Sequence, residues 1–376
     1  MSYQAVISGT GCYVPKNKVS NEALVASFNE YVSAFNRQHR NQIESKTLEA
    51  LQPSSPEFIE KASGIKNRYL VDAAGILDPT RLRPKLTPRK NDEMSLQCEM
   101  AYHAAWAALD KAQARPEDID LIIMACTNLE RAYPSVSIEL QQALGTKGYA
   151  FDMSMACSSA TFGLNTAYQH IQTGQVKRVL MVNPEVCSGH LDFQNRDCHF
   201  IFGDVCTAVV IERHDLAQNP KFRIESTLLK TQFSNNIRNN SGFLNYSECA
   251  DNGASGPDYH RFTQQGRKVF KEVVPMAAEH ILEHLHACYL KVSDIKRFWL
   301  HQANLNMNQL ISKKILGRDA TQLEAPNVLE EYANTASAGS ILAFHHYHDD
   351  FKSNEWGMLC SFGAGYSIGS IILRKV

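Results

Sequence analysis

Three short, uninterrupted apolar runs constrain this chain more than any other feature: Leu121-Ile122-Ile123-Met124-Ala125, Val179-Leu180-Met181-Val182 and Ala208-Val209-Val210-Ile211. A strand with one wet face alternates apolar and polar residues. None of the three does, so each suits a strand buried on both faces. Helical patterns over 101–112 and 159–172 alternate with such runs. That order argues for an α/β fold with largely parallel strands. A chain of 376 residues suits roughly two or three domain-sized units, and its 44% hydrophobic residues supply a sizeable core.

An internal duplication is also legible. Asp118-Ile119-Asp120 leads into an apolar run that ends at Asn128, and Asp294-Ile295-Lys296 leads into another that ends at Asn304. Ile201-Phe202-Gly203-Asp204 and Ser361-Phe362-Gly363-Ala364 each precede a closing strand, in the same order. The shared order favours two similar halves, residues 1–213 and 214–376, with the boundary in the polar stretch from Arg213 to Asn219. Three segments read as insertions: the polar, helix-prone residues 27–55, the Pro-rich and basic residues 71–93, and the Asn-, Ser- and Gly-loaded residues 232–258.

Charge excludes some function classes. Lys+Arg is 38 and Asp+Glu is 39, a formal net charge of -1, so no nucleic-acid or anionic-membrane surface is expected. The start of the sequence reads as a first strand and not as a signal peptide, and no apolar run reaches membrane-spanning length. The ten cysteines form no CxxC pair, which suits reduced thiols in a cytoplasmic protein. His345, His346 and His348 suit a surface helix end, and no metal site is expected.

Four segments carry chemistry. In Phe151-Asp152-Met153-Ser154-Met155-Ala156-Cys157-Ser158-Ser159 an apolar strand runs into a small-residue turn. Leu164, Ala167, Tyr168 and Ile171 mark the helix that follows. Cys157 thus sits at a helix N-terminus, where free N–H groups and the dipole are expected to favour a thiolate and to hold an oxyanion. A buried structural cysteine is the alternative. His301, in His301-Gln302-Ala303-Asn304, stands at the end of a strand, and a structural histidine is its alternative. Asn334 precedes the small residues Thr335-Ala336-Ser337-Ala338-Gly339, with an N-cap as the plain reading. The turn from Phe362 to Gly369 could bring backbone N–H groups close to a ligand. It is neither a dinucleotide fingerprint nor a P-loop, and Gly9-Thr10-Gly11 lacks the third glycine of such a fingerprint.

Together and in this order, these segments resemble ketoacyl-ACP synthase III of the thiolase superfamily. Gly9 to Pro15, Ser63-Gly64-Ile65-Lys66-Asn67-Arg68, Ala132-Tyr133-Pro134-Ser135, the Cys157 segment, Ile201-Phe202-Gly203-Asp204, His301-Gln302-Ala303-Asn304, Asn334-Thr335 and Phe362-Gly363 span nearly the whole chain. The resemblance implies a thiolase-like five-layered αβαβα fold of two similar halves, usually a homodimer. It implies Cys157 as nucleophile toward an acyl-CoA, and His301 and Asn334 as donors that stabilise the enolate of decarboxylating malonyl-ACP. Ala364 would supply the second oxyanion N–H, and Phe362 would desolvate the malonyl carboxylate. Tyr133 would line the partner subunit's acyl pocket, and Phe58, Arg196 and Asn304 would meet substrate. Lys271, Lys313 and Lys314 are candidates for the acyl carrier protein. No metal or redox cofactor is implied.

The sequence departs from the family pattern in places. Phe58 and Ala62 stand where Trp and Arg often contact CoA, Asn306 replaces an ACP-facing Arg, and Ala333 replaces a glycine before the Asn. The long insertions, Cys187-Ser188-Gly189-His190-Leu191 and Arg196-Asp197-Cys198-His199-Phe200 resemble the β-ketodecanoyl subgroup, which implies octanoyl-CoA as acyl donor and 3-oxodecanoyl-ACP as product. An acetyl-CoA-specific initiating synthase is one alternative. The others are an acyltransferase of the same fold that does not condense, and a catalytically silent carrier-binding module.

Overall fold

The computed structural model describes residues 2–246 and 261–376. Nine strands build the main sheet: β1 (Ala5–Tyr13), β2 (Leu121–Ala125), β3 (Tyr149–Met153), β4 (Arg178–Glu185), β5 (Val205–Arg213), β6 (Phe222–Thr231), β7 (Ile295–Leu300), β8 (Trp356–Gly363) and β9 (Ser367–Lys375). Their spatial order is β7-β8-β9-β6-β1-β5-β4-β2-β3. One pattern occurs twice in it. β2 runs parallel to β4, and β4, β5 and β1 follow antiparallel. Likewise β7 runs parallel to β8, and β8, β9 and β6 follow antiparallel. The two runs join where β1 and β6 pair through Val6 with Arg223 and Ile7 with Phe222.

The apolar runs are buried on both faces, as their lack of alternation requires. Leu121, Ile123, Val179, Met181, Val209 and Ile211 face a central layer made by α5 (Ser159–Gln172) and α8 (Ala338–His346). Ile122, Met124, Leu180, Val182, Ala208 and Val210 face α3 (Leu96–Ala112) and α4 (Val136–Leu144) on the outside. The other run repeats this. Trp299, Leu359 and Ile371 point to the central helices. Phe298, Leu300, Met358, Cys360 and Ile372 point to α6 (Gly266–Ala287) and α7 (Leu305–Leu316). The result is five layers, αβαβα. Each fully buried aliphatic side chain contributes about 1.5–3 kcal/mol, so the two-sided strands hold the layers together. Gly9 and Gly11 let α3 lie on β1: a Cβ there would meet the Ala108 and Ala104 carbonyl oxygens at 2.1 and 2.2 Å.

Some sequence expectations are adjusted. The helix read over 101–112 starts at Leu96, because its first turn is polar and Gln97 is held by the Asn128 and Pro184 carbonyls. Residues 27–38 continue α1 (Asn21–Gln38), and the return strand of chain is tied to it by Asn29 with Ser54 and Asn36 with Leu51. In the 71–93 segment, Ile76 and Leu82 are buried and Arg89 pairs with Glu99 at 2.5 Å. Of the 232–258 segment, residues 247–258 lie outside the described residues, as does Cys249; the nine described cysteines are free thiols. Among the described residues no helix is long and apolar enough to cross a membrane.

Candidate active site

β3 delivers the chain to the centre of the molecule, and the turn after it is strained. Ala156 has φ 47°, in the left-handed region that a non-glycine residue seldom adopts. Cys157 follows, then Ser158 as N-cap of α5. The backbone N–H groups of Cys157 and Ala364 both act on the sulfur and favour its anionic form. They do not prevail. Burial, with the Glu185 carboxylate second, pushes the thiol up to about 12. The N–H groups at the helix end thus act on the sulfur in the expected direction, but desolvation, with the Glu185 carboxylate second, outweighs them. Gly363, at the end of β8, makes the approach to Cys157 possible. A Cβ there would stand 2.6 Å from Cys157 Cβ and 3.2 Å from its Sγ.

His301 follows β7, with its N–H donated to the Cys360 carbonyl at 2.8 Å. Its ring meets Phe362 edge-on, centroids 5.3 Å apart. Burial lowers the imidazole to about 4, against a small opposing contribution from the Ala336 backbone. His301 is therefore neutral at physiological pH and can donate a hydrogen bond without carrying charge.

Asn334 is no N-cap. That position belongs to Ser337, ahead of α8. Asn334 Oδ1 accepts the Ala336 N–H at 2.9 Å. Only the oxygen can accept, so the amide is oriented and its Nδ2 donors are left for another group. The Asn334 backbone is pinned on both sides, donating to Ile201 O at 3.0 Å and accepting from Gly203 N at 3.1 Å. Ala333 holds φ 58° and ψ −162°, a conformation that belongs to glycine.

Cys157, His301, Asn334, Phe362 and Gly363 line one cavity of about 590 Å3. Its walls are largely apolar, with Ile65, Phe200, Phe202, Phe262 and Phe270 among them. That size and lining suit a substrate-sized organic group. Phe58 and Lys271 also line it. Asn304 does too, but both ends of its amide are engaged: Oδ1 caps Met307 N and Nδ2 donates to Ala62 O at 2.7 Å. Arg196 lies beside the cavity, its guanidinium 3.9 Å over the Phe58 ring and its Nε bonded to Pro53 O at 2.7 Å.

Other expected site residues lie apart. Tyr133 is 85% exposed on an outer groove with Pro134 and Ile138. Lys313 and Lys314 sit on the last turn of α7, where Lys313 pairs with Asp319 at 3.0 Å. His345 is bonded to Thr10 at 2.8 Å and His348 to its own helix. Among the described residues no group of His, Cys, Asp and Glu is assembled to hold a metal. Sequence reasoning missed two charged residues. Arg267 lines the cavity, and the pattern Gly266-Arg267-Lys268 with Lys271 one turn on would have signalled it. Glu185 is buried beside the thiols, and in sequence it follows Asn183-Pro184 after an apolar run, with no local mark of function.

The chain is similar to known proteins along nearly its whole length. The 3-oxoacyl-[acyl-carrier-protein] synthase III family profile matches residues 151–232, and its C-terminal profile matches residues 285–375. A β-ketodecanoyl-[acyl-carrier-protein] synthase of Pseudomonas aeruginosa is 58% identical over 350 residues, 93% of this chain and 99% of that one. A β-ketoacyl-[acyl-carrier-protein] synthase III of Methylococcus capsulatus is 30% identical over the full length of both chains. The crystal structure of 3-oxoacyl-[acyl-carrier-protein] synthase III from Aquifex aeolicus superposes with a TM-score of 0.75 at 25% identity, covering 98% of this chain and 99% of that one.

Proposed function

Because the chain belongs to the 3-oxoacyl-acyl-carrier-protein synthase III family, whose thiolase-like fold it shares, we propose that Cys157, His301 and Asn334 are the residues with which it condenses an acyl-CoA and malonyl-ACP. The condensation is decarboxylative and belongs to fatty-acid synthesis. The observation that carries the residue assignment is the convergence of the three side chains on one largely apolar cavity.

Cys157 sulfur attacks the acyl-CoA thioester, and the N–H groups of Cys157 and Ala364 hold the oxyanion. The tetrahedral intermediate collapses, and the thiol proton leaves with CoA as its free thiol. Malonyl-ACP then enters. Neutral His301 and the oriented Asn334 amide donate to its thioester carbonyl. The C–C bond to the carboxylate breaks, CO2 departs, and the enolate forms under those donors. Phe362 keeps water from the carboxylate. The enolate carbon attacks the acyl-Cys157 carbonyl, gives 3-oxoacyl-ACP and returns the thiolate, which takes a proton from solvent to restore the thiol.

Octanoyl-CoA is the proposed donor and 3-oxodecanoyl-ACP the product, supported by the 58% identical β-ketodecanoyl synthase and the apolar cavity. Phe58 and Arg196 already stack on each other, so a CoA adenine would have to part them or lie against the outer face. Asn304 would hold the cavity wall. Lys271 is the proposed carrier contact nearest the cavity, with Lys313 and Lys314 further out on α7. A homodimer cytoplasmic enzyme is proposed, with Tyr133 of one copy entering the pocket of the other; the exposure of Tyr133 and the edge position of β3 support it. Residues 1–213 and 214–376 are proposed as the two halves, supported by the repeated strand order.

Intact-protein mass after incubation with acetyl-, butyryl-, octanoyl- and palmitoyl-CoA tests this reading. Octanoylation of wild type and none of Cys157→Ser is the expected result. Equal acylation of the two would overturn the nucleophile, and acetylation alone would overturn the medium-chain donor.

A further inference from the structure

Glu185 is a charged residue that the reaction as written does not use. It ends β4 in the interior and is 2% exposed. One oxygen, Oε1, receives four donors: Thr127 N–H at 2.9 Å, Thr127 Oγ1 at 3.0 Å, Ser337 N–H at 3.2 Å and Ser337 Oγ. The other, Oε2, has only the Cys187 thiol at 4.0 Å. Its partners are hydroxyls, backbone N–H groups and a thiol, with no cation among them. A buried carboxylate without a cation is costly, and only its donors offset that cost.

We propose that Glu185 is a positioning residue of the condensation site, a buried brace that ties the turn after β2 to the turn that carries Asn334, and that its charge bears on Cys157. The inference rests on the reading of Cys157 and Asn334 given above. Thr127 lies two residues beyond β2, and Ser337 lies three residues beyond Asn334. Between them Ala336 N–H holds Asn334 Oδ1. A shift of Ser337 therefore carries the Asn334 amide with it. Neutral glutamine could bridge two turns as well, so the carboxyl adds something that bracing alone does not require.

That addition is charge. Cys187 Sγ meets Glu185 Oε2 at 4.0 Å, and the thiols of Cys126, Cys157, Cys187 and Cys206 are raised by burial first and further by Glu185, with Asp152 also acting on Cys126, Asp204 on Cys187 and Cys12 on Cys206. Burial raises Glu185 itself to about 7, against the pull of Ser337 and Thr127. Its charge thus changes near neutrality, and the ionised form disfavours a Cys157 thiolate in the resting enzyme.

The test compares full-length wild type, Glu185→Gln and Glu185→Asp. Two rates are read from about pH 6 to about pH 10: acylation of Cys157 by octanoyl-CoA, by intact mass, and CO2 release from malonyl-ACP. In Glu185→Gln the acylation rate, which rises with pH while the thiol stays largely protonated, should exceed that of wild type about tenfold at about pH 9 to 10, while CO2 release should stay near that of wild type, because the amide oxygen can still accept the same donors. Glu185→Asp should lose CO2 release while its acylation profile stays with that of wild type. Coincident acylation profiles for wild type and Glu185→Gln, or CO2 release unchanged in Glu185→Asp, would overturn the proposal. If Glu185→Gln does not fold, Ser337→Ala keeps the carboxyl and removes a donor; unimpaired CO2 release there overturns it equally. Failure of wild type to acylate at Cys157 would instead sink the earlier reading of the site.

Discussion

The two turns that enter the central helices can be compared directly. One leads from Cys157 into α5, the other from Asn334 into α8, and the helices lie in the same layer. Both turns contain alanine in left-handed backbone, Ala156 in the first and Ala333 and Ala336 in the second. They differ in what they do with the polar group. The Cys157 sulfur is met by two backbone N–H groups and a wall with no Cβ at Gly363. The Asn334 side-chain amide is oriented by its own turn, and its backbone is held by the chain at Ile201 and Gly203. In the proposed roles, a nucleophile has to be approached and a donor has to be held still. The same scaffold serves both by changing which neighbours are omitted.

Separating the two turns by half-reaction gives the largest expected effect. Cys157→Ser should abolish acylation, whereas His301→Ala and Asn334→Ala should acylate near the wild-type rate and lose condensation by about 10³-fold. Rapid-quench acylation beside CO2 release reads both, and equal loss of both steps in His301→Ala would break the division. Gly363→Ala should act on the Cys157 turn alone. Its Cβ would be 2.6 Å from Cys157 Cβ, and misplacement of that order costs about 10²-fold; acylation should fall while malonyl-ACP decarboxylation falls less.

Acid should distinguish the two sides of the sheet. His280 and His284 lie under β6 and β9, bonded to Ser370 and Ser226, and burial lowers both to about 4. The unfolded chain takes up their protons as pH falls through about 6.5, and the folded protein does so only near 4. Their contribution to stability is present above about pH 6.5 and is lost toward pH 4. Hydrogen exchange at pH 5 should show α6 opening before the outer helix α3, and the reverse order would refute it. The smallest effect is at the Asn334 turn. Ala333→Gly should relieve about 1 kcal/mol of backbone strain, visible as a rise of about 2 °C in the thermal midpoint; a lower midpoint would show the strain is absent.

The layers were legible because two-sided burial leaves an unbroken apolar run, and Leu121 to Ala125 could hardly be read another way. The turn at Cys157 was legible for a similar reason: a strand, small residues and a 3.6-residue pattern leave one place for it. What the sequence withheld is long-range. Glu185 meets Ser337 across 152 positions, and no local pattern marks such a contact. The Cys157 thiol was read from its helix end, a local cue, but its proton affinity is set by burial and by Glu185. Tyr133 and Arg196 show a related limit. Motif position named them, and only folding shows Tyr133 on the outer surface and Arg196 stacked on Phe58.

One feature of the sheet governs traffic through the enzyme. Because β1 and β6 pair across the middle and α5 and α8 share one core, the proposed nucleophile and the proposed donors stand on one continuous scaffold around one cavity. The two thioesters therefore use the same space in turn. On the proposed assignment CoA departs before the carrier's arm arrives, and free CoA should compete with malonyl-ACP for the acylated enzyme.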